Sequence, residues 1–180
     1  MIYNDGLVTI FAFGGIYAAG TFGFSFEEIM IFGIVLNVTA GIGAFIFGFL
    51  DDKLGGILTI QITLICLIAA GLMAIFAQSK LFFWISGIIV GIFSGPNQAA
   101  SRSLMGRFTP RSRENEFYGF FAFSGKMTAF IGPLCLGILT VLFDSQRAGV
   151  SIVVVLFVVG FFLLKSVDEK DGIATTKLFQ

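Results

Sequence analysis

EIMIFGIVLNVTAGIGAFIFGFLDDKLGGILTIQITLICLIAAGLMAIFA, residues 28–77, is two apolar runs parted by the six residues DDKLGG. Each run is close to the roughly 20 residues that carry an α-helix through a hydrocarbon core about 30 Å thick. A link this short returns the second helix antiparallel beside the first. Outward from this hairpin the pattern repeats at 2–24, 81–100, 117–143 and 148–165. With 28–50 and 57–77 these predict an all-α integral membrane protein of six transmembrane helices over residues 1–165, with a cytoplasmic tail over 166–180.

Composition agrees. Of 180 residues, 57% are hydrophobic and 12% charged, against roughly 25% charged in soluble domains. The 23 glycines and 24 phenylalanines suit helices that meet through small faces and show bulky ones to lipid. A formal net charge of +0 gives no reason to expect nucleic acid as a partner. Histidine is absent, and Cys66 and Cys135 stand singly in apolar runs, which argues against zinc and a disulfide framework. Met1 is followed by Asp5 and no basic stretch, unlike a secretory leader. No GxxxxGK[ST] sequence offers a nucleotide site, and no cofactor is expected. The Asn37-Val38-Thr39 glycosylation pattern falls inside a span, out of reach.

The short polar links orient the chain. Lys53, Arg102, Arg107, Arg111, Arg113, Lys165, Lys170 and Lys177 fall on one side, and Lys80 and Arg147 on the other. The positive-inside rule then predicts both termini in the cytoplasm. The first span opens directly with MIYNDG, without the basic residues expected there, so its beginning looks cut. Gly87, Gly91 and Gly95 recur every fourth residue in the fourth span, and Gly14, Gly15, Ala18, Ala19, Gly20 and Gly23 crowd the first. These are packing faces.

GFLDDKLGG, residues 48–56, has local logic of its own. Gly48 allows close packing at a helix end, Asp52 can accept from the amides of a neighbouring helix start, Lys53 adds a cation and Gly55 a turn. It matches G-x-x-x-D-[RK]-x-G, the loop motif of the major facilitator superfamily, though Gly56 and Ile57 stand where basic residues often close it. YNDG at 3–6, SGPNQAASRSLMGRFTP at 94–110 and ENEFYGFFAFSGK at 114–126 are similar to the seventh, tenth and eleventh helices of that superfamily's vacuole-effluxer branch. These are bacterial relatives of autophagy-linked vacuolar amino-acid exporters. The resemblance runs over nearly the whole chain. It implies the C-terminal half of a twelve-helix transporter in a bacterial inner membrane, with a cavity between halves and alternating access by rocking. A half alone exposes a cavity wall, so a missing N-terminal half or a second copy is implied as partner. A three-plus-three inverted repeat is not visible in the sequence.

Several residues are candidates for solute or coupling-ion contact. Lys126 lies about nine residues into the fifth span, roughly 12–14 Å deep at the rise of an α-helix. An ammonium there costs on the order of 3 kcal/mol unless it faces water or a partner. Either it meets Asp5 in a cavity, or its stem reaches back to the headgroups. A pair with Asp5 would hold the charged ends of a zwitterion or exchange a proton; Asp5 otherwise only opens a helix. Asn4 accompanies Asp5. Asn97 and Gln98 follow Pro96, which frees carbonyls for a ligand or for Ser94 and Ser101. They line a cavity or glue helices together. Asp52 with Arg102 or Arg107, beside Gly48, Lys53 and Gly55, forms a cytoplasmic gate or a solvated charge cluster.

Two readings follow. The first is a secondary transporter, or half of one, for a small polar solute such as an amino acid. The second is a non-transporting six-helix scaffold or remnant, which has no need of Asp5 and Lys126 inside the bilayer. Enzyme chemistry is poorly supported, because Ser124 and Lys126 stand two residues apart and point to different faces.

Overall fold

The computed structural model describes residues 2–177, and only the backbone of Leu50, Asp52, Lys170, Thr175 and Lys177. Its helices are α1 (Ile2–Phe22), α2 (Phe26–Leu54), α3 (Gly56–Phe76), α4 (Lys80–Arg107), α5 (Glu114–Thr128), α6 (Ile131–Leu142), α7 (Gln146–Leu164) and α8 (Glu169–Lys177), with one 3-10 turn at Arg111–Arg113. Among the described residues six segments are long and apolar enough to cross a membrane, α5 and α6 together forming the fifth.

Local chemistry sets the helix ends. Gly23, at φ 65, stops α1, and the amides of Gly23 and Phe24 return to the carbonyls of Ala19 and Ala18. Ser25 then opens α2 with a capping box: its hydroxyl accepts from the Glu28 amide at 3.2 Å, and the Glu28 carboxylate accepts from the Ser25 amide at 2.8 Å. Gly55, at φ 89, makes the α2–α3 turn alone, as a residue without Cβ can.

Three boundaries differ from the sequence reading. α2 continues through Asp51–Lys53 to Leu54, and α4 continues past Ala100 to Arg107, so Arg102 and Arg107 are helical. Leaving the apolar layer does not end a helix; Gly55 ends α2, and Pro110, which disfavours helical backbone at Thr109, follows the end of α4. The fifth span is broken at Ala129 and Phe130. Pro133 has no amide to give the Ala129 carbonyl, and its ring crowds that carbonyl. The tail contains α8, which folds back so that Gly172 meets the Phe108 ring and the Thr176 hydroxyl donates to the Phe108 carbonyl at 3.1 Å.

α4 lies between α2 and α3, and α7 lies against α1, α3 and α6. Leu7, Ile60, Leu64, Leu67, Val153 and Phe157 fill the centre between them. Gly87, Gly91 and Gly95 form the predicted packing face: they meet, in turn, the Phe32 ring, Thr39 with the Leu36 carbonyl, and the Ala40 carbonyl of α2. In return Gly43 of α2 meets the Ile92 carbonyl, the one that Pro96 frees. Ser94 and Ser101 do not take it; they donate to the carbonyls of Gly91 and Asn97. Gly48 does not pack tightly, since a Cβ there would meet open space. α5 has no buried residue.

Substituting Gly95 by Leu should force α4 from α2 and cost about 1–3 kcal/mol. Gly41→Ala, which meets nothing within reach, should leave the unfolding midpoint in detergent unchanged, and thermal scans of the two variants side by side check the assignment.

Candidate functional site

Three helices converge on one open cleft of about 540 Å³. α1 brings Tyr3 and Asn4; α4 brings Asn97, Gln98, Ser101 and Arg102; α5 brings Tyr118, Ala122, Gly125, Lys126 and Ala129. Helical spacing makes this possible, because Asn97 with Ser101 and Gln98 with Arg102 are i, i+4 neighbours on one face. Residues 118, 122, 125, 126 and 129 form the corresponding stripe of α5. Asn4, Asn97, Gln98 and Lys126 are thus brought together, and Arg102, expected at the rim gate, joins them. Arg102 and Lys126 supply two cationic groups, and among the described residues no carboxylate lines the cleft.

A chain of hydrogen bonds holds the wall. The Ser101 hydroxyl donates to the Asn97 carbonyl at 2.6 Å. Its hydrogen is therefore committed, and the Tyr3 hydroxyl donates to Ser101 Oγ at 2.8 Å. Asn97 Nδ2 donates to Thr63 Oγ1 at 2.9 Å, and Thr63 donates to the Ile60 carbonyl at 2.8 Å. α1, α4 and α3 are so tied through polar groups that are half-buried at Tyr3 and Ser101 and buried at Asn97 and Thr63. Asn97 itself is 0% exposed, and its Oδ1 accepts no hydrogen bond.

The expected Asp5–Lys126 pair does not form. The Lys126 side chain is exposed in the cleft, whereas Asp5 is buried, and its Oδ1 accepts from Thr128 Oγ1 at 3.0 Å. Successive residues of a helix point about 100° apart. With Asn4 in the cleft Asp5 faces away from it, and with Lys126 in the cleft Thr128, two residues on, faces α1.

The charged end of the bundle is also rearranged. Arg107 bonds Asp51 Oδ2 at 3.0 Å and Glu169 Oε1 at 2.9 Å. The expected pairing of Asp52 with Arg102 or Arg107 lies outside the described residues, because the Asp52 side chain does. Lys53 is exposed. Glu169, on α8, also accepts from the amides of Gly56 and Ile57 at 3.2 and 3.1 Å. It caps the start of α3, a task the sequence reading gave to Asp52 for a neighbouring helix. Burial raises the Glu169 pKa, but the Ile57 and Gly56 amides and the Arg107 guanidinium outweigh it and hold the carboxyl below its ordinary value.

The model of the vacuole effluxer Atg22-like family matches residues 1–177. The chain belongs to that family. The uncharacterized MFS-type transporter YxiO of Bacillus subtilis (strain 168) is 29% identical over 170 residues, covering 94% of this chain and 40% of the relative. Autophagy-related protein 22 of Cryptococcus neoformans (strain JEC21) is 22% identical over 185 residues, covering 94% of this chain and 32% of the relative. Over 47% of this chain and 14% of the relative, autophagy-related protein 22-2 of Aspergillus niger is 33% identical. The chain therefore spans about two fifths or less of the length of these family members. With its six apolar spans it is a membrane protein of this family.

Tyr3, Tyr118, Thr63, Thr128, Asp51 and Glu169 escaped the sequence reading, which named Ser101 only as a taker of a freed carbonyl. Ser101 had a signal, its i+4 relation to Asn97, and so had Asp51, one residue before the motif aspartate. Glu169 had none, since nothing in a polar tail announces what it folds against.

Glu169 makes stability depend on pH. Its folded pKa is lowered, so its contribution is fully present above the unfolded carboxyl pKa and is lost as pH falls through the folded one. Detergent unfolding should show this acid-side loss in the natural protein and a flatter pH profile in Glu169→Gln.

Proposed function

We propose that this chain is the C-terminal six-helix half of a secondary transporter that moves a small polar solute by alternating access, the α1–α4–α5 cleft being its share of the pathway. One observation carries this: polar side chains from three helices meet in one open cleft that, among the described residues, holds two cations and no acid. Arg102 and Lys126 suit a carboxylate, and Gln98, Asn97 and Tyr118 suit the polar remainder, so an amino acid is the solute class that fits. A scaffold gains nothing from Lys126 in such a place, at a cost on the order of 3 kcal/mol. The open side of the cleft is where an N-terminal half, or a second copy, closes it. The distribution of cations supports cytoplasmic termini, and the bacterial relative supports a bacterial inner membrane.

Within this reading the Asp51–Arg107–Glu169 clamp makes α2, α3, α4 and α8 one body during rocking. It is a brace within one body, because it binds elements of the same half.

Uptake and efflux of a mixture of labelled amino acids in cells carrying the chain test the proposal. Lys126→Met should lower transport about tenfold or more, the equivalent of one charged hydrogen bond of roughly 1.5–3 kcal/mol. The same solutes should slow thiol labelling of Ala122→Cys in the cleft and not of Val155→Cys on the outer surface. Equal labelling at both sites, with transport indifferent to Lys126, would sink the reading.

A further inference from the structure

The cleft leaves one buried ionisable group unused. Asp5 is 1% exposed, does not line the cleft, and enters none of the ion pairs among the described residues. Its Oδ1 lies 3.0 Å from Thr128 Oγ1, and the same Oγ1 lies 3.1 Å from the Ser124 carbonyl. A threonine hydroxyl has one hydrogen, so it serves one of these acceptors at a time. The charge on Asp5 decides which. The carboxylate draws the hydrogen from Thr128; once protonated, Asp5 itself donates to Thr128 Oγ1, and the Thr128 hydrogen turns to Ser124. The bond joining α1 to α5 then changes from charge-assisted to neutral, which is about half as strong.

Thr128 is the last residue of α5, directly before the break made by Pro133. Beyond the break α6 stays on α1 in either state, because Gly132 closes against Thr9 and the Asp5 carbonyl. α5 buries no residue and contacts its neighbours sparsely. Of the two parts of the fifth span, α5 is the one free to swing, and it carries Lys126 into the cleft.

We propose that Asp5 and Thr128 form a proton site, separate from the solute cleft, at which binding of one proton releases α5 to move about the Ala129–Phe130 break. The proton comes from water in the cleft, which Asn4 and Ala129, the neighbours of the pair, both line. It returns to water when α5 closes; no other bond changes. That this couples solute movement to protons rests on the transport reading; the site itself does not.

The N-terminal amino group acts on Asp5 through space; the other titratable groups among the described residues are engaged or remote. On α1, Tyr3 is bonded to Ser101 and Tyr17 to the Ala74 carbonyl. Arg102 of α4 and Tyr118 and Lys126 of α5 line the cleft, Glu114 and Glu116 stand at the exposed start of α5, and Arg107 is held in its clamp with Asp51 of α2. Glu28 of α2 holds Lys80 of α4 beyond the other end of α1, where Glu27 also lies, and Arg147 of α7 donates to the Ala77 carbonyl. Lys53 and Asp52 follow Asp51 at the far end of α2, and α6 has only Cys135.

Spin labels on Ala99→Cys of α4 and Ala122→Cys of α5, with Cys66 and Cys135 replaced by Ala, report the α4–α5 distance in the full chain in lipid, with no solute added. Between alkaline and acid buffer the ratio of two distance populations should change about tenfold, or about 1.4 kcal/mol. Asp5→Asn should show the acid pattern at every pH, Thr128→Val should abolish the pH response and Thr128→Ser should keep it. A distance indifferent to pH, or a titration that survives in Asp5→Asn, overturns the proposal. Should Asp5→Asn fail to insert, the Thr128 variants decide, and a response retained in Thr128→Val is equally fatal. Lys126-dependent transport with a flat distance profile would defeat this inference alone, whereas an intact profile without transport would defeat only the transport reading.

Discussion

The Ile92 carbonyl of α4, freed by Pro96, lies against the Cα of Gly43 of α2, and the Ala40 carbonyl of α2 lies against Gly95 of α4. Much of the bundle depends on this reciprocal approach. Lipid offers no hydrophobic drive for helices to associate, so contact must come from close backbone packing and polar bonds. Side chains at these glycines would hold the two helices apart. Because α4 is fixed here on one flank and by α3 on the other, the turn after Pro96 is rigid enough to present Asn97, Gln98, Ser101 and Arg102 in one direction.

Polar groups in the bundle follow a matching division. The Tyr3–Ser101 and Asn97–Thr63 bonds run from α1 through α4 to α3, while the buried Asn97 Oδ1 stays unmet. At the charged end, Arg107 neutralises two carboxylates from different elements, and Glu169 satisfies amides of α3 that the turn at Gly55 leaves without a side-chain cap. At the other end Lys80 pairs with Glu28 on the surface and stands 5.2 Å above the Phe24 ring, beside a cluster that includes Tyr17, Phe32, Phe83 and Trp84. An exposed pair of this kind contributes little, and the aromatic packing is the larger part of that closure.

α5 departs from this order. It buries nothing, ends at a proline-induced break and yet supplies the cleft's lysine. The other part of the same span, α6, is pinned by Gly132. One apolar run thus yields a fixed part and a loosely held part, and the difference lies in which residues meet α1.

The number of spans, the helical class, the glycine face of α4, the turn at Gly55 and the candidates Asn4, Asn97, Gln98 and Lys126 were legible in the sequence. Each follows from local rules: apolar length against membrane thickness, small residues at helical spacing, and the cost of polar groups in lipid. The partners were not legible. Asp5 and Lys126 seemed matched by depth and sign, but depth along a helix says nothing of rotation about it. Only packing decided that Asn4 turns to the cleft and Asp5 to Thr128. Likewise Arg107 found Asp51 and Glu169 because α8 folds back beneath α3. Sequence spacing fixes which residues share a face, whereas the neighbour to which that face turns is settled by how whole helices fit together.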